Sequence, residues 1–289
     1  MINAWQRWTL LALIGIAASL APAQPAENAS PSDEIDRRVR RAVTVSRLHG
    51  EAMSVLVNAA SSENPFVRSN VIEALTLAPG RATPFVQRGL SDPEAVVRFT
   101  AVVTAGRLEL EHLTPAIEPL LDDSNASVRA AAAYALHTLG REVDLTPLAG
   151  YLESEDPSVR ANTAMLLGLL GDESAAVMLK AKASAPMPRI GAERAAVVRI
   201  QFAEAVVKLG DDSALDVLRA GMYSQFGEVR ILSVRALGAV GDERMAPAIQ
   251  RLLDQPPVEQ QLAAAETLAR LGRPKGLDMV LEHSRHEQA

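Results

Sequence analysis

VRANTAMLLGLLGDESA, residues 159–175, is the stretch whose reading decides the fold. Val159, Thr163, Leu166, Leu167 and Leu170 recur at steps of three and four residues, which places them on one face of a helix. Gly171 then suits a left-handed C-terminal cap, and Asp172 the N-cap of a second helix predicted over Ser174 to Ala183. Outward from this stretch the same pattern returns at a fixed interval. Arg160 has counterparts at Arg68, Arg98, Arg129, Arg199, Arg230 and Gln261, separated by 30, 31, 31, 39, 31 and 31 residues. Seven positions after each landmark stands Leu, Val or Ala, and eleven after most of them stands Gly. A period near 30 built from helical segments is the signature of stacked helix pairs. Stepping back once more reaches Arg37, so about eight units are expected, degenerate at both ends.

The punctuation between helices has two chemistries. Gly-Asp pairs stand at 171–172, 210–211 and 241–242, whereas Thr83-Pro84, Thr114-Pro115 and Thr146-Pro147 offer a Thr cap followed by a proline whose missing N–H costs nothing in a first helical turn. Asp or Asn with Pro or Ser precedes each first helix, as in Asp92-Pro93 and Asp156-Pro157. One such pair cannot bury its apolar face alone, so the units are expected to share a continuous core.

Asp-Pro or Asp-Ser, then Val-Arg, an Ala-rich helix, Leu-Gly, a Gly-Asp turn and a second helix together resemble the short HEAT-like repeat that also occurs in phycobilin lyases. The resemblance covers about residues 33–284. It implies an all-α, right-handed α-α superhelix (α-solenoid) of antiparallel pairs, with the second helices lining its concave side. It says little about activity, because repeat scaffolds host many functions. Gln261 in the arginine position and Pro79 in a glycine position depart from the pattern.

The ends and the composition narrow the function classes. Residues 1–23 read as a signal peptide: Arg7 supplies the positive charge, Thr9 to Leu20 the apolar core, and Ala21-Pro22-Ala23 a cleavage site before Gln24. Residues 24–32 read as a polar linker and residues 33–289 as the repeat array. The expected location is therefore periplasmic or extracellular, with no transmembrane segment left after cleavage between Ala23 and Gln24. An uncleaved leader would instead anchor a structural envelope component. The chain has no cysteine, and its net charge of −6 disfavours a general nucleic-acid surface.

Side chains with chemistry are sparse. Of the five histidines, His49, His112, His137, His283 and His286, the last two alone have ligand-like spacing, and they stand near the C-terminus. Deoxyhypusine hydroxylase, a HEAT-repeat enzyme, holds iron through repeated His-Glu pairs; His286-Glu287 is the single such pair here. No phosphate loop or nucleophile elbow is present. No cofactor is expected. Asp122-Asp123 and Asp211-Asp212 fall at predicted turns, where capping accounts for them. Two further features stand out. The 39-residue interval places about eight extra residues in Ser184 to Glu193 (SAPMPRIGAE), read either as an edge loop with Met187, Arg189 and Ile190 as candidate partner contacts or as a passive loop or an extended first helix. Arg37, Arg38, Arg40 and Arg41 form a basic cluster that Asp33, Glu34 and Asp36 partly neutralise. The arginine ladder itself reads as structural, each guanidinium bridging acidic and carbonyl groups at a neighbouring turn. The expected function is a non-catalytic scaffold or adaptor that binds a protein along the concave face. The alternative is a cofactor- or metal-dependent enzyme or enzyme subunit, bilin-lyase-like, that uses the groove as a pocket.

Overall fold

The computed structural model describes residues 50, 52–185, 187, 189–273 and 275–276. The expected signal peptide with its Ala23/Gln24 cleavage site, the linker, the Arg37 cluster, His49, His283 and His286 lie outside the described residues. Within them every regular element is a helix, in the order α1 (52–59), α2 (Pro65–Ala74), α3 (Pro79–Gly89), α4 (Ala95–Arg107), α5 (Thr114–Ile117), α6 (Ala126–Thr138), α7 (Pro147–Tyr151), α8 (Pro157–Leu170), α9 (Ala175–Ala183), α10 (Ala192–Lys208), α11 (Leu215–Gly221), α12 (Gly227–Ala239), α13 (Ala246–Arg251) and α14 (Val258–Arg270). Short 3-10 turns precede or extend several second helices. Six pairs, α2/α3 to α12/α13, are complete, with α1 and α14 flanking them. The result is an all-α superhelix.

Local chemistry sets the element ends. Asn64, Asn125 and Asp156 accept N–H bonds from the first turns of α2, α6 and α8. Gly140, Gly171, Gly210 and Gly241 take positive φ where the chain reverses, the conformation glycine adopts without penalty. In the third unit Glu109 occupies that place at φ 52°. The second helix of the second unit begins at Pro79 rather than at Thr83-Pro84. Pro79 fills the first helical position, where proline is tolerated, and Pro84 lies inside α3.

The first helices α2, α4, α6, α8, α10, α12 and α14 pack consecutively against one another. Glycine permits the closest approaches. A Cβ on Gly168 would stand 2.9 Å from the Ala205 Cα, and one on Gly106 would stand 3.1 Å from the Ala135 Cα. Leu56, Leu75, Ile117, Leu148, Leu166, Phe202, Leu218 and Leu237 continue the core from unit to unit, all fully buried. This tight stacking corrects the expected placement of the concave side. The first helices line the inner face, because their small residues allow the shorter arc, while the shorter second helices lie outside. The superhelix curls far enough for Arg235 on α12 to approach Glu73 on α2 at 3.9 Å.

Candidate functional site

The arginine ladder positions the site. In each regular unit the arginine stands four residues after the N-cap, so its guanidinium reaches back to the turn it has just left. Arg68 Nη1 donates to the carbonyls of Ser62 and Glu63 at 2.8 and 3.1 Å, and Arg98 Nη1 to those of Asp92 and Pro93 at 2.8 and 2.9 Å. The other edge of the fork points to the next unit. Arg68 holds both oxygens of Asp92 at 2.8 Å, and Arg98 holds those of Asp123 at 2.7 and 3.0 Å. Burial alone would raise the Asp92 carboxyl, but the Arg68 fork and the Glu94 N–H outweigh it; at Asp123 the Arg98 fork is the leading influence. Both carboxyls titrate below their ordinary value.

Later units lack that acid and improvise. Arg129 donates to the Tyr151 hydroxyl at 3.1 Å, and Arg230 to Gln260 Oε1 at 2.9 Å; each keeps its two turn carbonyls. Arg160 bonds the carbonyls of Ser154 and Glu153. Gln261 donates to the Leu253 carbonyl at 2.8 Å, a shorter version of the same return.

Arg199 is the exception. Helix α10 begins after Gly191, so Arg199 stands eight residues past its N-cap. The carbonyls five and six residues before it, of Arg194 and Glu193, belong to the helix and cannot serve as turn acceptors. Among the described residues Arg199 has no hydrogen-bond or ion-pair partner, and it is exposed. The insertion thus includes the extended first helix that the sequence allows, lengthening α10 by about a turn. Its candidate contacts need correction. Met187 is 8 % exposed and joins the core, so it anchors the segment instead of presenting it. Ile190 packs against that core, and Arg189 is the exposed one, paired with Glu155.

Above Arg199 lies a groove of about 360 Å³ between α9 and α11, lined by Lys180, Ala183, Ala203, Val206, Ala214 and Val217 among others. The corresponding place in the second unit encloses about 20 Å³ beside Arg68. Side-chain volume accounts for the difference. Ile72 and Phe85 stand where the sixth unit has Ala203 and Val217, and the Arg88 guanidinium lies over Phe85 at 5.8 Å while donating to the Ala60 carbonyl at 3.2 Å. The residue that corresponds to Arg88 is Ala220, and Ser224 replaces Asp92. Val217 is consequently 44 % exposed, with Val177 on α9 and Tyr223 just beyond α11 also exposed. On the rim, Lys180 donates to Asp211 at 2.8 Å, and that carboxyl, held first by Lys180 and then by Ser213, titrates at about 2.

The family profile for HEAT repeats matches residues 53–137, 82–156 and 114–197 in overlapping registers, and the profile for the PBS lyase HEAT-like repeat matches residues 229–255. The chain belongs to the HEAT-repeat family. No curated protein matches its sequence. Among solved structures, this HEAT-repeat protein is similar to the complex of CpcE and CpcF of phycocyanin lyase from Nostoc sp., at 16% identity over 92% of this chain and 98% of that one, with a TM-score of 0.47. It is also similar to human deoxyhypusine hydroxylase in complex with glycerol, at 20% identity over 91% and 96% of the two chains, with a TM-score of 0.41.

The inner face of the HEAT array holds a second concavity, of about 540 Å³, lined by first helices from α2 to α14. Its walls carry Glu73, Arg107, Glu204, Lys208, Arg235 and Arg270. Glu204 and Lys208 pair at 2.6 Å. Glu266, 2 % exposed, accepts from Arg235 at 3.1 Å and Arg270 at 2.8 Å. Burial pushes the Glu266 carboxyl up, but the two guanidiniums outweigh it and keep it ionised, below its usual value. These charges largely satisfy one another, so the network ties α12 to α14 and, through Glu73, to α2. Among the described residues no group of three His, Asp or Glu is placed to hold a metal ion, and no helix is long and apolar enough to cross a membrane.

Proposed function

We propose that this HEAT-repeat protein is a non-catalytic adaptor of the cell envelope, exported to the periplasm or beyond, that binds a segment of a partner protein. The observation that carries the reading is the open groove of the sixth unit. The second unit fills the equivalent place with its own side chains, and here the array leaves an apolar floor open beneath exposed Val217, next to a guanidinium with no partner among the described residues. Exposed apolar surface of this kind, rimmed by charge, marks interaction sites more often than it is left idle. The outer groove therefore replaces the concave face as the proposed surface. Export is supported by the pattern of residues 1–23 and is checked by intact mass: a mature chain beginning at Gln24 in the envelope fraction is the expected result.

Site-specific photocrosslinking tests the adaptor reading. A photoreactive residue at position 217 or 177, in the chain expressed in its own host, should give one discrete polypeptide adduct. The same residue at exposed position 57 on α1 should give none. Absence of any polypeptide adduct from position 217 in exported protein would overturn the reading.

A further inference from the structure

We propose that the α9–α11 groove selects an acidic and apolar polypeptide segment, one that places an Asp or Glu carboxylate in the fork of Arg199 beside a large apolar side chain. This rests on the protein-binding reading above and adds the chemistry of the partner.

The chain itself shows what a filled position looks like. Beside Arg68 the neighbouring unit supplies Asp92, bound by two parallel N–H bonds at 2.8 Å, and Phe85, whose ring closes the adjacent space. The sixth unit keeps the receptor half of that arrangement and lacks the donor half. Arg199 retains the guanidinium, while Ser224 and Val217 replace the acid and the ring. A planar guanidinium fork is matched by a carboxylate in two-point contact, and charge-assisted bonds of this type are about twice as strong as neutral ones. The other cation of the groove, Lys180, is already held by Asp211. An arriving carboxylate thus has one unsatisfied cation to meet. The rest of the lining, Ala183, Ala203, Val206, Ala214 and Val217 with the neutral hydroxyls of Ser184 and Ser213, offers no second charge, so the remainder of the segment is uncharged and largely apolar.

A twelve-residue random peptide library displayed on phage and selected on the purified chain provides the test. The enriched peptides should carry Asp or Glu close to an aromatic or Leu residue. Their affinity should fall by about tenfold to a hundredfold on Arg199→Gln, the range expected for loss of a charge-assisted pair. Because Arg199 holds nothing within the described chain, R199Q should melt with the parent protein, so a binding loss cannot be ascribed to unfolding. A second variant, Val217→Phe with Ser224→Asp, rebuilds the arrangement seen at Arg68. It should lose the peptides and melt at a higher temperature. Peptides without an acid, equal binding to R199Q, displacement of the peptides by millimolar acetate alone, or no enrichment would each overturn the proposal. If position 217 still crosslinks a polypeptide in those cases, the adaptor reading survives and only the carboxylate preference falls; if it does not, both fall.

Discussion

Arg98→Ala and Arg199→Ala remove the same side chain from the same place in two repeats, and they should differ sharply in cost. Arg98 makes four bonds: two to the carboxylate of Asp123 and two to the carbonyls of Asp92 and Pro93. Its loss leaves Asp123, itself nearly buried, with the Asn125 N–H but without its guanidinium. Breaking a fully buried pair from one side costs about 3–5 kcal/mol. The turn is at the protein surface and water can reach part of the gap, so about 2–3 kcal/mol is expected here. For a chain of this size that corresponds to a fall in Tm of about 5–10 °C. Arg199→Ala deletes an exposed group that has no partner among the described residues and should stay within about 0.5 kcal/mol of the parent. Urea unfolding followed by far-UV circular dichroism measures both, and the double variant Arg98→Ala with Asp123→Ala should recover part of the loss because no stranded carboxylate remains. Equal costs for the two single variants would refute the account of the ladder.

The remaining predictions use the same readout. Glu109→Gly should stabilise by about 0.5–1 kcal/mol, because it relieves a positive φ that five other units assign to glycine; a loss would mean that the Glu109 side chain makes an unrecognised contribution. Gly168→Ala should cost about 1–3 kcal/mol, since the new methyl meets the Ala205 backbone at 2.9 Å, whereas Gly150→Ala, with open space around it, should cost less than about 1 kcal/mol. Glu266→Gln leaves Arg235 and Arg270 facing a neutral amide and should cost about 3 kcal/mol; an unchanged urea midpoint would show that the inner network contributes nothing net. The folded-state carboxyls of Asp92 and Asp123 titrate below the ordinary value, so their contribution is complete above about pH 4 and is lost as pH falls through the lowered values. Asp92→Asn with Asp123→Asn should therefore be weaker than the parent at neutral pH and should converge with it in acid; parallel curves would contradict the sign.

The repeat is legible because two independent periods agree in the sequence. Apolar positions at steps of three and four define each helix, and Arg, Leu and Gly at fixed offsets define each unit, so Gly140, Gly171, Gly210 and Gly241 at positive φ follow from the residues alone. The side that faces inward is not legible from the resemblance. It depends on which set of helices packs more closely, and that is decided by Gly106 against Ala135 and Gly168 against Ala205, contacts between units that no single repeat displays. The start of α3 departs from expectation for a related reason: proline opens a helix equally well at position 79 and at position 84, and only the packing of Ala82 and Val86 selects the earlier start. The groove is present in the sequence as a difference between units. Ala203 against Ile72, Val217 against Phe85 and Ser224 against Asp92 are three reductions at one site, visible once the second and sixth repeats are set side by side.

The irregular 39-residue interval accounts for both halves of the candidate site. A loop of eight residues would have left Arg199 four residues past its cap, bonded to its turn like Arg98. Some of the additional length instead became a helical turn, which moved the cap away and enclosed the two carbonyls within α10. Met187 and Ile190 then fastened what remained of the insertion to the core. A guanidinium kept in register with the ladder but deprived of both its own turn and the next unit's acid is, among the described residues, the one ladder arginine without a partner. Filling it from within, by Ser224→Asp alone, should raise the melting temperature by the few degrees that a partly exposed ion pair contributes, about 1–4 °C for roughly 0.5–1 kcal/mol. The same change at Ser154, the corresponding position for Arg129, whose guanidinium already donates to the Tyr151 hydroxyl and to two turn carbonyls, should yield less; if Ser154→Asp proved the more stabilising of the two, Arg199 would not be the open position in the ladder.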